Sequence, residues 1–188
     1  MDKSTNTVNC VNGLDLGALQ EIVQAIGLDP GKAQADFCVK TKWLGQTRSE
    51  ASVDTLVLGG ETIPRGYKIC IDEPLQLLGQ NTAPNPQEML MAAFNACITV
   101  GYVAGAAVSG ITLEKLEIET RGSLDLRGFL GLDDKIKPGY DKIQYTVRMK
   151  GNGTLEQYRE IHEKVMKTSP NYFNLSQPVR IESTLEVM

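Results

Sequence analysis

The chain has 188 residues, 41% of them hydrophobic and 22% charged, with a formal net charge of −4. That length suits one domain of ordinary size with a real apolar core, and 23 acidic against 19 basic residues, with no basic run, exclude a nucleic-acid surface. Four cysteines at positions 10, 38, 70 and 97 form no CxxC pair, and His162 is the single histidine, so the spacing of a metal site is missing and no metal or other cofactor is expected.

Residues 1–11 read as a polar, disordered tail, and residues 12–188 as one domain. Positions 1–7 hold no apolar run, so no signal peptide is expected, and the cysteines read as free thiols of a reducing cytoplasm. Asp15 is placed to cap a first helix, with Leu14 and Leu19 as its hydrophobic staple. Leu19, Ile22, Val23 and Ile26 fall at helical spacing before Gly27 and Pro30 end the pattern. Such an amphipathic helix needs a surface to dock on.

Strands follow. Phe37, Val39, Thr41 and Trp43 alternate with Asp36, Cys38, Lys40 and Lys42, which predicts one strand. A turn at 45–47 leads to a second run at 51–58. Gly59-Gly60 marks the next turn, and Tyr67, Ile69 and Ile71 alternate in a third strand. After a long loop, Asn85 is a good N-cap and Pro86 fits a first helical position. The helix they open is predicted to run to about Ser109, with Gly110 closing it.

No charged residue occurs from 89 to 113, a stretch long enough to span a membrane. Its middle is rich in Ala and Gly and contains Asn95, Thr99 and Ser109, and neither a Lys/Arg cluster nor an aromatic pair marks its borders. It therefore reads as the buried central helix of a fold, apolar all round, rather than as a membrane anchor. A strand at 112–120, a glycine-punctuated loop at 122–139 and a strand with Ile143, Tyr145, Val147 and Met149 on one face come next. Thr154 and Gln157 form a capping box for a second long helix, with Leu155, Tyr158, His162 and Val165 along one face. Val179, Ile181, Ser183, Leu185 and Val187 alternate with polar residues in a predicted last strand. Strands clustered before and after a central helix predict an α+β fold with mostly antiparallel sheet.

Cys97 sits about halfway along the central helix among Ala92, Ala93, Ala96 and Gly101, whose small side chains admit another backbone closely. Taken alone, an isolated cysteine in an apolar helix is more often a small buried hydrophobe than a reactive centre. His162 reads as a packed core histidine rather than a base.

The run from Asn85-Pro86 to Ala96-Cys97 resembles the signature of the OsmC/Ohr family, an Asn-Pro-acidic helix start leading to Ala-Ala-Cys. Asn12-Gly13-Leu14-Asp15, Asp72-Glu73-Pro74 with Leu77-Leu78-Gly79, the segment 124–132, Lys137-Pro138-Gly139-Tyr140 and Thr168-Ser169-Pro170 resemble a longer OsmC-like subgroup in the right order. The resemblance implies an intertwined homodimer whose sheets wrap long central helices. It also implies a thiol peroxidase of the oxidative-stress response that reduces organic hydroperoxides. In that family one cysteine attacks the peroxide, a second closes a disulfide, and an arginine and a glutamate activate the first thiolate.

Cys97 matches the peroxidatic cysteine, and Arg48, just after the 45–47 turn, matches the arginine. The resolving cysteine's position holds Ser169, so no internal disulfide can form there. The glutamate's position reads Gln87; Glu88 is next to it, but at about 100° per residue it points to the other side of the helix from Cys97. The expected function is therefore a single-cysteine peroxidase resolved by an external thiol. The alternative is a non-catalytic dimer that binds a small apolar ligand at its interface, with Cys97 inert or redox-sensing.

Overall fold

The computed structural model describes residues 9–187. They form an α+β chain whose sheets are all antiparallel. The chain falls into two compact units, one running to Ala92 and the other starting at Ala93.

Of the expected tail, residues 1–8 lie outside the described part. Residues 10 and 11 are ordered, contrary to expectation: Cys10–Val11 (β1) pairs with Leu14–Asp15 (β2). Asn12 and Gly13 have φ of 53° and 80°, the left-handed pair that a two-residue hairpin turn requires. Asp15 then caps Leu16–Leu28 (α1), its Oδ1 accepting from the N–H groups of Gly17 at 2.9 Å and Ala18 at 3.1 Å. No residue of α1 is buried, so the face predicted to dock stays uncovered.

The run predicted as one strand splits into Ala35–Phe37 (β3) and Lys40–Gly45 (β4). Both pair with Arg48–Leu58 (β5). From Phe37 to Lys40 the chain takes three steps while β5 takes four, from Leu56 to Ser52, so an extra β5 residue breaks the ladder. The other edge of β5 pairs with Glu61–Ile71 (β6) around Gly59-Gly60.

Beyond β6 a loop folds around the buried Asp72. Its carboxylate accepts five hydrogen bonds: Thr47 Oγ1 at 3.0 Å, Glu73 N at 2.9 Å, Gln80 N at 3.1 Å, Thr82 N at 3.1 Å and Thr82 Oγ1 at 2.8 Å. Burial pushes this carboxyl up. The bonds from Thr82, Thr47 and Glu73 outweigh that and hold it far below the usual carboxylate range. Only glycine fits at 79, where a Cβ would collide with the Glu73 carbonyl.

The long helix Pro86–Val108 (α2) begins with a reciprocal cap. Asn85 Oδ1 accepts from Glu88 N, and Glu88 Oε2 accepts from Asn85 N, both at 2.8 Å. It ends with Gly110 at φ 69°, Gly110 N donating to Ala107 O and Ile111 N to Ala106 O. By length and composition α2 could cross a membrane. One stripe of it, Phe94, Ile98, Tyr102 and Ala106, is the core of the second unit. The opposite side is open, with Val100 70% exposed, so the helix is not covered all round within one chain. Asn95 is satisfied: its Oδ1 accepts from Thr120 Oγ1 at 2.5 Å.

Leu113–Gly122 (β7) and Ile143–Gly151 (β8) pair over that stripe through Leu116, Ile118, Tyr145, Val147 and Met149. Their connecting loop holds the short helix Leu126–Phe129 (α3). Leu155–Thr168 (α4) opens with the Thr154/Gln157 capping box and brings Ile161 and Val165 against α2. The crossing is tight, since a Cβ on Gly101 or Gly105 would stand 3.0 Å from Val165 Cγ2 or Ile161 Cγ2. A further helix, Pro170–Ser176 (α5), follows directly. The predicted last strand does not form: residues 178–187 carry no secondary structure, and Ile181, Leu185 and Val187 are each 88% exposed. Alternation marks a segment able to pair, and no partner strand lies beside it among the described residues.

Candidate functional site

Cys97 is half-buried on α2, and its Sγ lies 3.3 Å from Ser169 Oγ. Ser169 is where α4 stops and α5 starts. Its N–H donates to Val165 O at 2.9 Å, closing α4; its carbonyl accepts from Phe173 N at 3.0 Å, opening α5. Its Oγ also accepts from Tyr172 N at 3.2 Å, as an N-cap does. Pro170 at the first position of α5 has the backbone angle a helix start needs. One residue further, Asn171 Nδ2 donates to Ala93 O at 2.9 Å, one turn before Cys97 on α2. Ser169 itself is only 7% exposed.

A pocket of about 330 Å³ opens on this junction. Cys97, Val100, Gly101, Val165, Thr168, Ser169 and Pro170 line it, and none of them is charged. Such a lining suits an alkyl chain better than an ion.

A second polar group lies deeper in the same unit. Tyr102 Oη is 2.5 Å from His162 Nδ1, and the two rings stack with centroids 6.0 Å apart. Burial, with Tyr145 beside it, holds the Tyr102 hydroxyl well above its usual range, and burial raises Tyr145 as well. His162 is thus a packed histidine with a phenolic partner.

The other sequence candidates belong to the first unit. Arg48 is the first residue of β5 rather than a loose turn residue, and it is half-buried. Its Nη1 donates to Gln80 Oε1 at 3.4 Å, Gln80 Nε2 donates to Gln46 Oε1, and Gln80 N is held by Asp72. Gln87 is exposed in the first turn of α2, and the Glu88 carboxylate is occupied by the cap on Asn85. The fold therefore brings Cys97 to Ser169 in one unit and Arg48 to Gln80 in the other. Cys10, Cys38 and Cys70 are exposed free thiols, and no cluster of three metal-ligating side chains occurs among the described residues.

Reading by spacing missed the Asp72 hub, the Tyr102–His162 pair and α5. For α5 a signal existed, since Ser169-Pro170 is an N-cap followed by a first-position proline.

The family model described as OsmC-like protein matches residues 79–184. No curated protein matches the chain. Among solved structures, an OsmC-like protein from Mycoplasma pneumoniae superposes with a TM-score of 0.59 at 16% identity, over 75% of this chain and 87% of that one. An OsmC-like protein of unknown function from Vibrio cholerae gives 0.55 at 17% identity, over 73% and 91%. An OsmC-like hydroperoxide resistance protein from a Jannaschia species gives 0.45 at 18% identity, over 79% and 91%.

Proposed function

The chain belongs to the OsmC-like protein family, and from that premise we propose that it is a thiol-dependent peroxidase in which Cys97 reduces organic hydroperoxides. The Cys97 thiolate attacks the peroxide's terminal oxygen. An S–O bond forms, the O–O bond breaks, and the alkoxide leaves and takes a proton as the alcohol. Cys97 is left as a sulfenic acid. An external thiol attacks that sulfur and releases water, leaving a mixed disulfide; a second thiol frees Cys97 and carries away the oxidised pair. The observation that carries this reading is the Cys97 sulfur facing an uncharged pocket with a hydroxyl, not a thiol, 3.3 Å away. No metal or organic cofactor enters the scheme.

Arg48 is the guanidinium proposed to favour the thiolate, and Gln87 is a neutral stand-in for an activating carboxylate. Glu88 serves by fixing the start of the helix that carries Cys97. The working form is proposed to be an intertwined homodimer in a reducing cytoplasm, without nucleic-acid or membrane partners. Its support is the apolar surface one chain leaves open: α1, the Val100 side of α2, and the alternating segment 178–187. A second copy supplies the strand partners and cover these need.

The uncharged lining also favours a second reading, a non-catalytic dimer that holds a small apolar ligand beside an inert or redox-sensing Cys97. Peroxide consumption by wild type and Cys97→Ser, with several thiol donors, separates the two. A peroxidase loses turnover with Cys97; equal, slow consumption by both proteins leaves ligand binding as the function.

A further inference from the structure

We propose that Ser169 is the hydrogen-bond donor that holds the Cys97 sulfur in its anionic, reactive form. The proposal deepens the peroxidase reading and rests on it for its role in turnover.

The argument is an accounting of one hydroxyl. Ser169 Oγ has one hydrogen to give and two lone pairs to accept with. The Tyr172 N–H takes a lone pair at 3.2 Å. Cys97 Sγ at 3.3 Å is the other partner of Oγ, so the hydroxyl hydrogen points at sulfur once that sulfur is a thiolate. The Tyr172 bond also polarises the O–H and makes it a better donor. The residue has little freedom to do otherwise: its backbone closes α4 through Val165 O and opens α5 through Phe173 N, and its side chain is buried.

No other group of the pocket competes. Thr168 carries the only other hydroxyl in the lining, and it donates to Lys164 O at 2.9 Å. Cys97 lies beyond the first turn of α2, where the helix end offers a thiolate almost nothing. Cys97 is half-buried, and a hydrogen bond given to a thiolate favours that charged, reactive form. Ser169 thus replaces chemistry with electrostatics: where a thiol would trap the sulfenic acid as a disulfide, a hydroxyl supports the thiolate and leaves the oxidised sulfur open to an outside thiol.

Two roles of Ser169 must be separated, since it also caps α5. Aspartate caps a helix as well as serine does, but a carboxylate has no hydrogen to give and adds a negative charge. The experiment is the alkylation rate of Cys97 by iodoacetamide against pH, in the full chain with Cys10, Cys38 and Cys70 replaced by serine. Ser169→Ala should slow alkylation at neutral pH by about tenfold or more, the usual worth of a hydrogen bond to a charged group, and move the profile to higher pH. Ser169→Thr should restore the wild-type profile, and Ser169→Asp should be slower than Ser169→Ala. Wild-type rates in Ser169→Asp, or an unchanged profile in Ser169→Ala, reduce Ser169 to a cap and overturn the proposal.

Ser169→Cys tests the geometry. After one equivalent of organic hydroperoxide, the Cys97 sulfenic acid should lose water to the new thiol and form an S–S bond, giving a linked peptide in mass spectrometry. Sulfenic acid formed without that bridge overturns the contact. Alkylation needs no peroxide, so the two readings fail separately. No peroxide turnover with a slow Ser169→Ala alkylation removes the peroxidase and keeps the donor. Peroxide turnover with an alkylation profile indifferent to residue 169 does the reverse.

Discussion

The two units are held together by opposite means. The second has an apolar core: Phe94, Ile98, Tyr102, Ala106 and Ile111 meet Ile161 and Val165 under one face of a two-stranded sheet. The first has a polar hub. Ala51 is the only buried apolar side chain among its described residues, and the groups that close its loop all converge on the Asp72 carboxylate. An apolar core is sensitive to volume and indifferent to pH; a single buried charge is the reverse. The residues proposed for chemistry fall on either side of this division, Cys97 within the packed unit and Arg48 within the unit of the hub.

The comparison breaks most readily at Ile98, which is fully buried in the stripe on α2. Ile98→Ala should cost about 2–5 kcal/mol, the lost transfer energy plus the cavity left behind. Tyrosine near-ultraviolet circular dichroism should follow the loss, because Tyr102, Tyr145 and Tyr172 pack around this core. A loss under about 0.5 kcal/mol, the range of ordinary surface changes, would mean that the stripe is not the core.

Next in size is Asp72→Asn, which keeps the shape and removes the charge. An amide can accept at one oxygen only, so two or more of the five donors lose their partner. Amide exchange at Gln80 and Thr82 should quicken by about tenfold or more, while amides of Ile161 and Val165 stay protected. Equal acceleration in both units would show that the hub is not local.

Acid should produce the same asymmetry with a smaller effect. The Asp72 carboxyl ordinarily titrates near 3.8 and is held well below that in the fold. The folded state therefore binds this proton more weakly than the unfolded chain, and the stability it lends is complete above pH 4 and lost as the pH falls through the folded value. Trp43, the single tryptophan, reports on the first unit, its Nε1 donating to Gln46 O at 2.8 Å next to the Thr47 that binds Asp72. Its fluorescence should change at a higher pH than the tyrosine signal of the second unit. One coincident transition would contradict the separation.

What could be read from the sequence was local. Asn85-Pro86, Gly110 and the Thr154/Gln157 pair announce their helix ends because capping is settled within a few residues. The 143–149 alternation announces β8 because one face packs, half-buried, against the core while the other is exposed. Pairing is not local. Residues 178–187 have a strand's pattern and no strand, because alternation says which side would be buried and never supplies the neighbour. Asp72 collects donors from positions 47, 73, 80 and 82, and Ser169 reaches Cys97 across 72 residues, distances no spacing rule covers. Only family resemblance singles out Cys97 as a candidate; its surroundings by themselves suggest a small hydrophobe.

The smallest expected effect is the most discriminating, and it lies at Glu88, on the helix that starts in the polar unit and continues into the apolar one. If Glu88 is a cap, its task is to accept from Asn85 N, and a glutamine oxygen does that as well. Glu88→Gln should then leave stability within about 0.5 kcal/mol of wild type and leave peroxide turnover unchanged. Glu88→Ala should cost about 0.5–1 kcal/mol through the orphaned donor, an N-cap loss at an exposed site, with only a modest drop in turnover as the first turn frays. A catalytic carboxylate predicts a different order: Glu88→Gln would lose turnover as severely as Glu88→Ala while staying fully stable. Thermal unfolding and peroxide consumption measured on the same two variants decide between these orders. A stable, inactive Glu88→Gln would move the carboxylate from the helix start to the chemistry.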